Sequence, residues 1–239
     1  MLTLVVRVEK SARPAQTDAL ETAARAVLAI LADERSTGEG EWAEAMAAWQ
    51  DNRIRKIAKR ARGAEWRRAE ALPGITVKGR GVGAEQPATE AAEEAATTPA
   101  EQPASVAAEV RVFPPVEVDA VPDELFKLQV TGTDFEDSGE LPPVQPGVPV
   151  LWVNPELEMS SGKAMAQCGH AAHLAWWALS DEARKEWEAA GFDLAVRTAT
   201  PEKWDELLTS GLPVVQDAGF TEVAPGSRTV IADHPFLTR

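Results

Sequence analysis

The hydrophobic and polar positions of the chain fall into two blocks that read alike. The first opens on a β-branched run, LTLVVRV (2–8), followed by an Ala-rich stretch over 15–34 with helical spacing. The second opens on VPVLWV (148–153) and continues into an Ala-rich helix over 162–179. Behind each helix stand two tryptophans 17 residues apart, Trp49 and Trp66 in one block and Trp187 and Trp204 in the other. Each pair encloses a candidate strand, IRKIAKR (54–60) or FDLAVRT (192–198). A short helix and a third strand follow, GITV (74–77) or PVVQ (213–216), then a fourth strand, VRVFPP (110–115) or RTVIADHP (228–235). The shared order predicts an internal duplication of a unit of about 90 residues. The expected fold class is α/β, with two tandem copies of a small mixed four-stranded sheet flanked by helices. Two copies in one chain imitate a homodimer, so the expected assembly is a monomer acting as a pseudo-dimer. Coincidence among short Ala-rich helices is the competing reading.

Two stretches break the pattern. Residues 84–109 are Ala, Glu, Pro, Gln and Thr with Val106 as their single large aliphatic, too little apolar surface to offset the entropy of ordering. They are expected to be a disordered acidic insertion in one loop of the first copy. Residues 120–147, rich in Pro, Asp and Gly, read as a linker with FKLQV (126–130) as a possible strand inside it. The expected domains are therefore 1–119, the linker, and 148–239.

Charge alters this picture by its distribution. The net charge is -14 over 239 residues, which by itself argues against a polyanionic partner. Much of the acid lies in the insertion, with six Glu and no base, and in 115–145, with eight acids against Lys127. Residues 51–80 instead carry ten Lys or Arg against Asp51, Glu65 and Glu70. Exposed charges are screened within about 8 Å at physiological salt, so this basic patch can attract a polyanion whatever the total. The charged N-terminus MLTLVVRVEK lacks a signal peptide's apolar run, and no apolar stretch is long enough to span a bilayer. A cytoplasmic protein with no membrane partner is expected. The single cysteine, Cys168, excludes an internal disulfide, and with three histidines few ligands remain for a zinc site.

Candidate chemistry lies in the second block. In MSSGKAMAQCGHAAHLAWW (159–177), Lys163, Gln167 and His170 are spaced by four and three residues and share a helix face. They line a cleft or form a solvated face. SSGKA lacks the upstream glycine of a phosphate-binding loop and has Ala164 where its hydroxyl belongs. Cys168 and His170 point about 200° apart on a helix, which opposes a metal cluster with His173. No metal and no cofactor are expected. In QDAGFTEVAPGSRTVIADHP (216–235), Asp217 follows a strand end, and Pro225-Gly226 is expected to fold 221–229 into a hairpin that brings Thr221 near Thr229. Asp217 there orients a water or caps a turn.

Together, GKAMAQCGHAA and, some 50 residues on, DAGFTEVAPGSRT resemble the signatures of the type-2 peptidyl-tRNA hydrolases, G-K-x-x-A-Q-x-x-H-A and D-A-G-x-T-x-x-x-x-G-[ST]-x-T. The resemblance covers roughly 148–239. It implies a small mixed sheet flanked by helices and metal-free hydrolysis of the ester joining a peptide to the tRNA 3′ end. The family's functional Lys, His, Asp and two Thr fall on Lys163, His170, Asp217, Thr221 and Thr229, with Gln167 beside them. Asn154, Glu156 and Ser161 stand where members usually carry Arg, Asp and a second Lys.

The first block resembles the same unit without its polar cluster: Ala15, Thr22 and Lys78 align with Lys163, His170 and Asp217, so that copy is expected to be silent. Family members commonly form homodimers, which matches a fused pseudo-dimer with one active half. The basic stretch then offers Arg53, Arg55, Lys56, Lys59, Arg60 and Arg62 as contacts to the tRNA backbone, since phosphate neutralisation drives such binding. An ordinary solvated strand edge is the alternative. In the expected reaction Asp217 orients or deprotonates water, Lys163 stabilises developing negative charge or holds a phosphate, and His170 assists proton transfer. Thr221 and Thr229 hydrogen-bond the terminal adenosine or the water. A carboxylate is in general a weak base near neutrality, so positioning weighs more than proton abstraction. The rival functions are a non-catalytic tRNA-binding module and a deacylase of another aminoacyl ester.

Overall fold

A computed structural model describes residues 1–9, 13–81 and 106–237. The first copy runs β1 (Leu2–Arg7), α1 (Gln16–Ala32), α2 (Ala43–Asp51), β2 (Lys56–Ala61), α3 (Gly63–Glu70), β3 (Ile75–Lys78) and β4 (Glu109–Val112). After a short helix α4 (Asp123–Phe126), the second runs β5 (Val150–Val153), α5 (Ser161–Ala178), α6 (Asp181–Ala189), β6 (Ala195–Thr198), α7 (Pro201–Leu208), β7 (Val214–Gln216) and β8 (Arg228–Asp233). The sheets have the same topology, β2-β1-β4-β3 and β6-β5-β8-β7. In each, the first strand pairs parallel with the second and antiparallel with the last, and the last two form an antiparallel pair. The architecture is thus two mixed four-stranded sheets flanked by helices, in tandem.

Most of the expected insertion lies outside the described residues, but its final part does not. Ala108 is buried, and Glu109 opens β4.

The two copies share one hydrophobic core. The long helices α1 and α5 pack on each other, burying Ala23, Ala24 and Val27 of one with Met165, Cys168, Ala171 and Ala172 of the other. Small residues permit this close approach: a Cβ on Gly169 would come within 2.9 Å of Val27 Cγ2. Each helix also reaches the other copy's sheet. Glu21 of α1 accepts from the Val196 N–H at 3.0 Å and pairs with Arg197 at 3.5 Å, while α5 packs on β2. Arg80 adds an ion pair to Asp193 across the join.

The linker is a strap, and the strand expected at 126–130 reduces to one antiparallel bridge between Gln129 and Arg60. Ala15, the N-cap of α1, has no capping side chain; Asp137 caps from the linker, accepting from Thr17 N at 2.9 Å and Thr17 Oγ1 at 2.7 Å. Helix α5 carries its own cap, Ser160, whose Oγ accepts from Lys163 N at 3.1 Å. The strap crosses this end too: Gly162 N donates to Thr133 O at 3.1 Å, and Phe135 N donates to Ser161 Oγ at 2.8 Å.

Candidate active site

Where the N-terminal half of α5 faces the end of β7 and the start of β8, four polar side chains close on one another. Lys163 Nζ donates to Asp217 Oδ2 at 2.5 Å, both side chains being only about a tenth exposed (10% and 11%). Gln167 Nε2 donates to the same oxygen at 3.0 Å, and Thr229 Oγ1 donates to Gln167 Oε1 at 2.6 Å. A carboxylate only accepts, so the Gln167 amide must present its NH2 to Asp217 and its carbonyl to Thr229. The other carboxylate oxygen accepts from Gly219 N at 2.8 Å. Gly219 has φ +77, and a Cβ there would overlap Pro225, so the turn requires glycine. Three donors thus fix the Asp217 carboxylate, whose side chain is largely buried.

The hairpin closes differently from expectation. Its closing pairs join Asp217 to Gly226 and Ser227, not Thr221 to Thr229. Thr221 therefore stands exposed on the loop, while Thr229 is fully buried and committed to Gln167. Glu222, which the sequence reading passed over, ties this loop to the cap of α5: its carboxylate accepts from Ser160 N and Ser160 Oγ, each at 2.7 Å. Its spacing gave no signal, because its partner lies 62 residues away.

His170 turns toward the first copy. Lys56 Nζ lies 3.4 Å from His170 Nδ1, 3.1 Å from His173 Nδ1 and 3.3 Å from Ile54 O, three acceptors for an ammonium's three protons. The His173 Nε2 faces Gln50 Oε1, which also accepts from Trp177 Nε1, so this ring carries its proton on Nε2. Burial, then the neighbouring Lys56, draw both imidazoles toward the neutral form, His170 well below the usual range and His173 down to about 2. Burial opposes the ammonium form of Lys56 and pulls it well below the lysine range, against the three acceptors that favour the charged group. Neutral His170 with Nδ1 facing a donor presents an Nε2–H. Cys168 lies in the core, where burial pushes its thiol up. Among the described residues no three His, Cys, Asp or Glu are gathered to hold a metal ion.

The six basic candidates divide. Arg53, Arg55 and Arg62 are exposed. Lys56 is engaged as above, and Lys59 is only 6% exposed, donating to Leu125 O and Phe126 O at 2.8 and 3.0 Å. Arg60 bonds Gln129 and Thr131 O of the strap. Strand alternation and the strap thus engage Lys56 and Lys59 in the interior and tie the Arg60 guanidinium, whose bonds remain exposed, to the strap. Two departures from the family pattern have local structural roles: Asn154 bonds Arg228 O and Glu156 N, each at 2.8 Å, and Ser161 holds the strap.

The first copy fills the corresponding place with its own side chain. Counted from the helix caps, Asp18, rather than Ala15, corresponds to Lys163. Gly79 closes its hairpin on Ala108 as Asp217 does on Ser227, and therefore replaces it in place of Lys78. A Cβ on Gly79 would fall 2.2 Å from Asp18 Oδ2. That carboxylate is buried on Arg80 N at 3.0 Å and Ala108 N at 2.6 Å, with Arg25 at 4.0 Å. A carboxylate occupies the position of the ammonium, and the backbone closes around it.

Among the described residues no helix is long and apolar enough to cross a membrane. The family pattern described as peptidyl-tRNA hydrolase PTH2 matches residues 148–238. A bovine (Bos taurus) protein named peptidyl-tRNA hydrolase 2, mitochondrial, is 43% identical over 96 residues, 36% of this chain and 54% of its own length. Its human (Homo sapiens) namesake is 34% identical over 126 residues, 46% of this chain and 67% of its own. A peptidyl-tRNA hydrolase of Haloquadratum walsbyi is 37% identical over 87 residues, 34% of this chain and 78% of its own. The chain spans about half the length of the bovine and mouse (Mus musculus) relatives it matches. With the Lys163, Gln167 and Asp217 cluster assembled within the matched residues, the chain belongs to the peptidyl-tRNA hydrolase PTH2 family.

Proposed function

We propose that the chain hydrolyses the ester joining a peptide or blocked aminoacyl group to the 3′ end of a tRNA, and that residues 148–239 perform the chemistry. The observation that carries this reading is the largely buried Lys163–Asp217 pair, braced by Gln167 and Thr229, within the family's matched residues. Water attacks the ester carbonyl carbon, the carbonyl oxygen becomes an oxyanion, and the carbon–oxygen bond to the ribose breaks. The ribose oxygen takes one of the water's two protons and the other is released to solvent, leaving a free peptide carboxylate and a tRNA hydroxyl.

Asp217 holds the attacking water through its remaining acceptor capacity. Lys163, fixed on that carboxylate, supplies the positive charge that favours the oxyanion. His170 offers its Nε2–H to the developing charge or the leaving oxygen. Thr229 acts through Gln167 as a positioning residue, whereas Thr221 has an exposed hydroxyl for the terminal nucleoside. Arg53, Arg55 and Arg62 of the silent first copy meet the tRNA backbone. The chain works as a monomer acting as a pseudo-dimer, in the cytoplasm.

Steady-state hydrolysis of N-acetyl-aminoacyl-tRNA against free aminoacyl-tRNA, with EDTA present, tests the reaction class. Preferential turnover of the blocked substrate supports it. Equal cleavage of both indicates a general aminoacyl-ester deacylase, and tRNA binding without cleavage indicates a binding module.

A further inference from the structure

We infer that Phe220 of the second copy and Arg55 of the first form a composite stacking platform for an unpaired nucleobase at the 3′ end of the tRNA. The inference rests on the hydrolase reading and gives its substrate a specific contact. Phe220 is 66% exposed, three residues beyond Asp217 and beside the tight turn at Gly219. Its loop is held by the Asp217 backbone pairs with Gly226 and Ser227, and by Glu222 on the cap of α5. The ring is therefore presented on an anchored loop.

One face of the ring is covered from the other copy. The Arg55 Cζ lies 4.8 Å from the Phe220 ring centroid. The Arg55 backbone is itself fixed, its carbonyl accepting from Leu2 N at 2.9 Å and Trp49 Nε1 at 3.1 Å. A guanidinium on one face of an exposed aromatic ring orients the ring and adds positive charge beside it. Arg53 is exposed two residues away. Lone exposed apolar residues are common on protein surfaces, but this one combines an aromatic face, two arginines and adjacency to Asp217. That is the chemistry of single-strand recognition: bases stack on aromatic faces while guanidinium groups meet the backbone. A folded protein partner would demand a broader apolar surface than one ring supplies.

The test is a binding cycle with a fluorescein-labelled single-stranded RNA hexamer ending in CCA and the same hexamer with its last base removed. Fluorescence anisotropy is read for the wild type, Phe220→Ala, Phe220→Trp and Phe126→Ala. Phe126 is an equally exposed phenylalanine, 66%, next to Lys59 on the strap. Phe220→Ala should weaken binding of the intact hexamer about tenfold, within the range for loss of one stacked base, and should barely affect the abasic one. Phe220→Trp should retain binding, and Phe126→Ala should leave it unchanged. Equal weakening of both hexamers by Phe220→Ala, or none, overturns the platform. Hydrolysis of N-acetyl-aminoacyl-tRNA by the wild type separates the two readings. Turnover without this base coupling removes the platform and spares the hydrolase, whereas a wild type that neither binds the hexamer nor cleaves the substrate removes both.

Discussion

Replacing Thr229 by Val removes one hydroxyl with little change of shape, and its consequence follows from the chain Thr229–Gln167–Asp217. The hydroxyl is fully buried and donates at 2.6 Å to Gln167 Oε1. Without it the Gln167 carbonyl, in a side chain only 3% exposed, loses its partner. An unsatisfied buried acceptor costs about 1–3 kcal/mol. Gln167→Leu should cost more, because it strands the Thr229 hydroxyl and also removes the 3.0 Å bond to the Asp217 carboxylate, and bonds to charged groups contribute about 1.5–3 kcal/mol. The double variant leaves neither Thr229 nor Gln167 with an orphan toward the other. It should therefore be more stable than the two single losses added together, by a coupling of about 1–2 kcal/mol. Urea unfolding followed by tryptophan fluorescence, with eight tryptophans as reporters, measures all four corners. Additive losses would refute the relay and leave Thr229 as a substrate contact.

Asp137→Ala should destabilise the protein by about 1–2 kcal/mol, because a helix cap contributes about that much and the Thr17 hydroxyl loses its acceptor too; thermal unfolding reads the loss, and an unchanged Tm would contradict the strap. Gly169→Val should cost about 1–3 kcal/mol by forcing α1 from α5 at Val27, as overpacked cores do; the same unfolding curves measure it. Burial beside Trp187 pushes His234 down to about 4. Its folded pKa lies below the unfolded value of about 6.5, so its contribution is present above pH 6.5 and is lost as pH falls toward 4. That loss is up to about 3 kcal/mol, and His234→Leu should flatten urea-derived stability across this window. His173 extends the same sign of loss to lower pH.

The elements were legible because a β-branched run opens each block and an Ala-rich helical stretch follows it, and the matching tryptophan spacing exposed the duplication. The helix register of the first copy was less so. Ala15 stands at the cap of α1 without capping it, and the true cap comes from Asp137, 120 residues beyond the Thr17 it binds. That long-range bond also hid the strap, whose composition reads as a spacer. In the basic stretch, sequence gives the charge but not where each side chain ends: β2 turns Lys56 toward two histidines and Lys59 into the strap. The cluster of Lys163, Gln167 and Asp217 was readable from spacing and motif. The absence of the polar cluster from the first copy was readable from its residues, but the way Asp18 fills that place against Gly79 was not, because the two lie 61 residues apart and meet only through the fold.

The most direct measurement is single-turnover hydrolysis of N-acetyl-aminoacyl-tRNA by the wild type, Lys163→Met, Asp217→Asn and Lys78→Ala, the last an exposed residue of the first copy beside Gly79. Cleavage is expected from the wild type and Lys78→Ala, with a loss of at least about 100-fold in each second-copy variant, the scale of removing one preorganised charge-stabilising group. Full-rate cleavage by Lys163→Met and Asp217→Asn would contradict this.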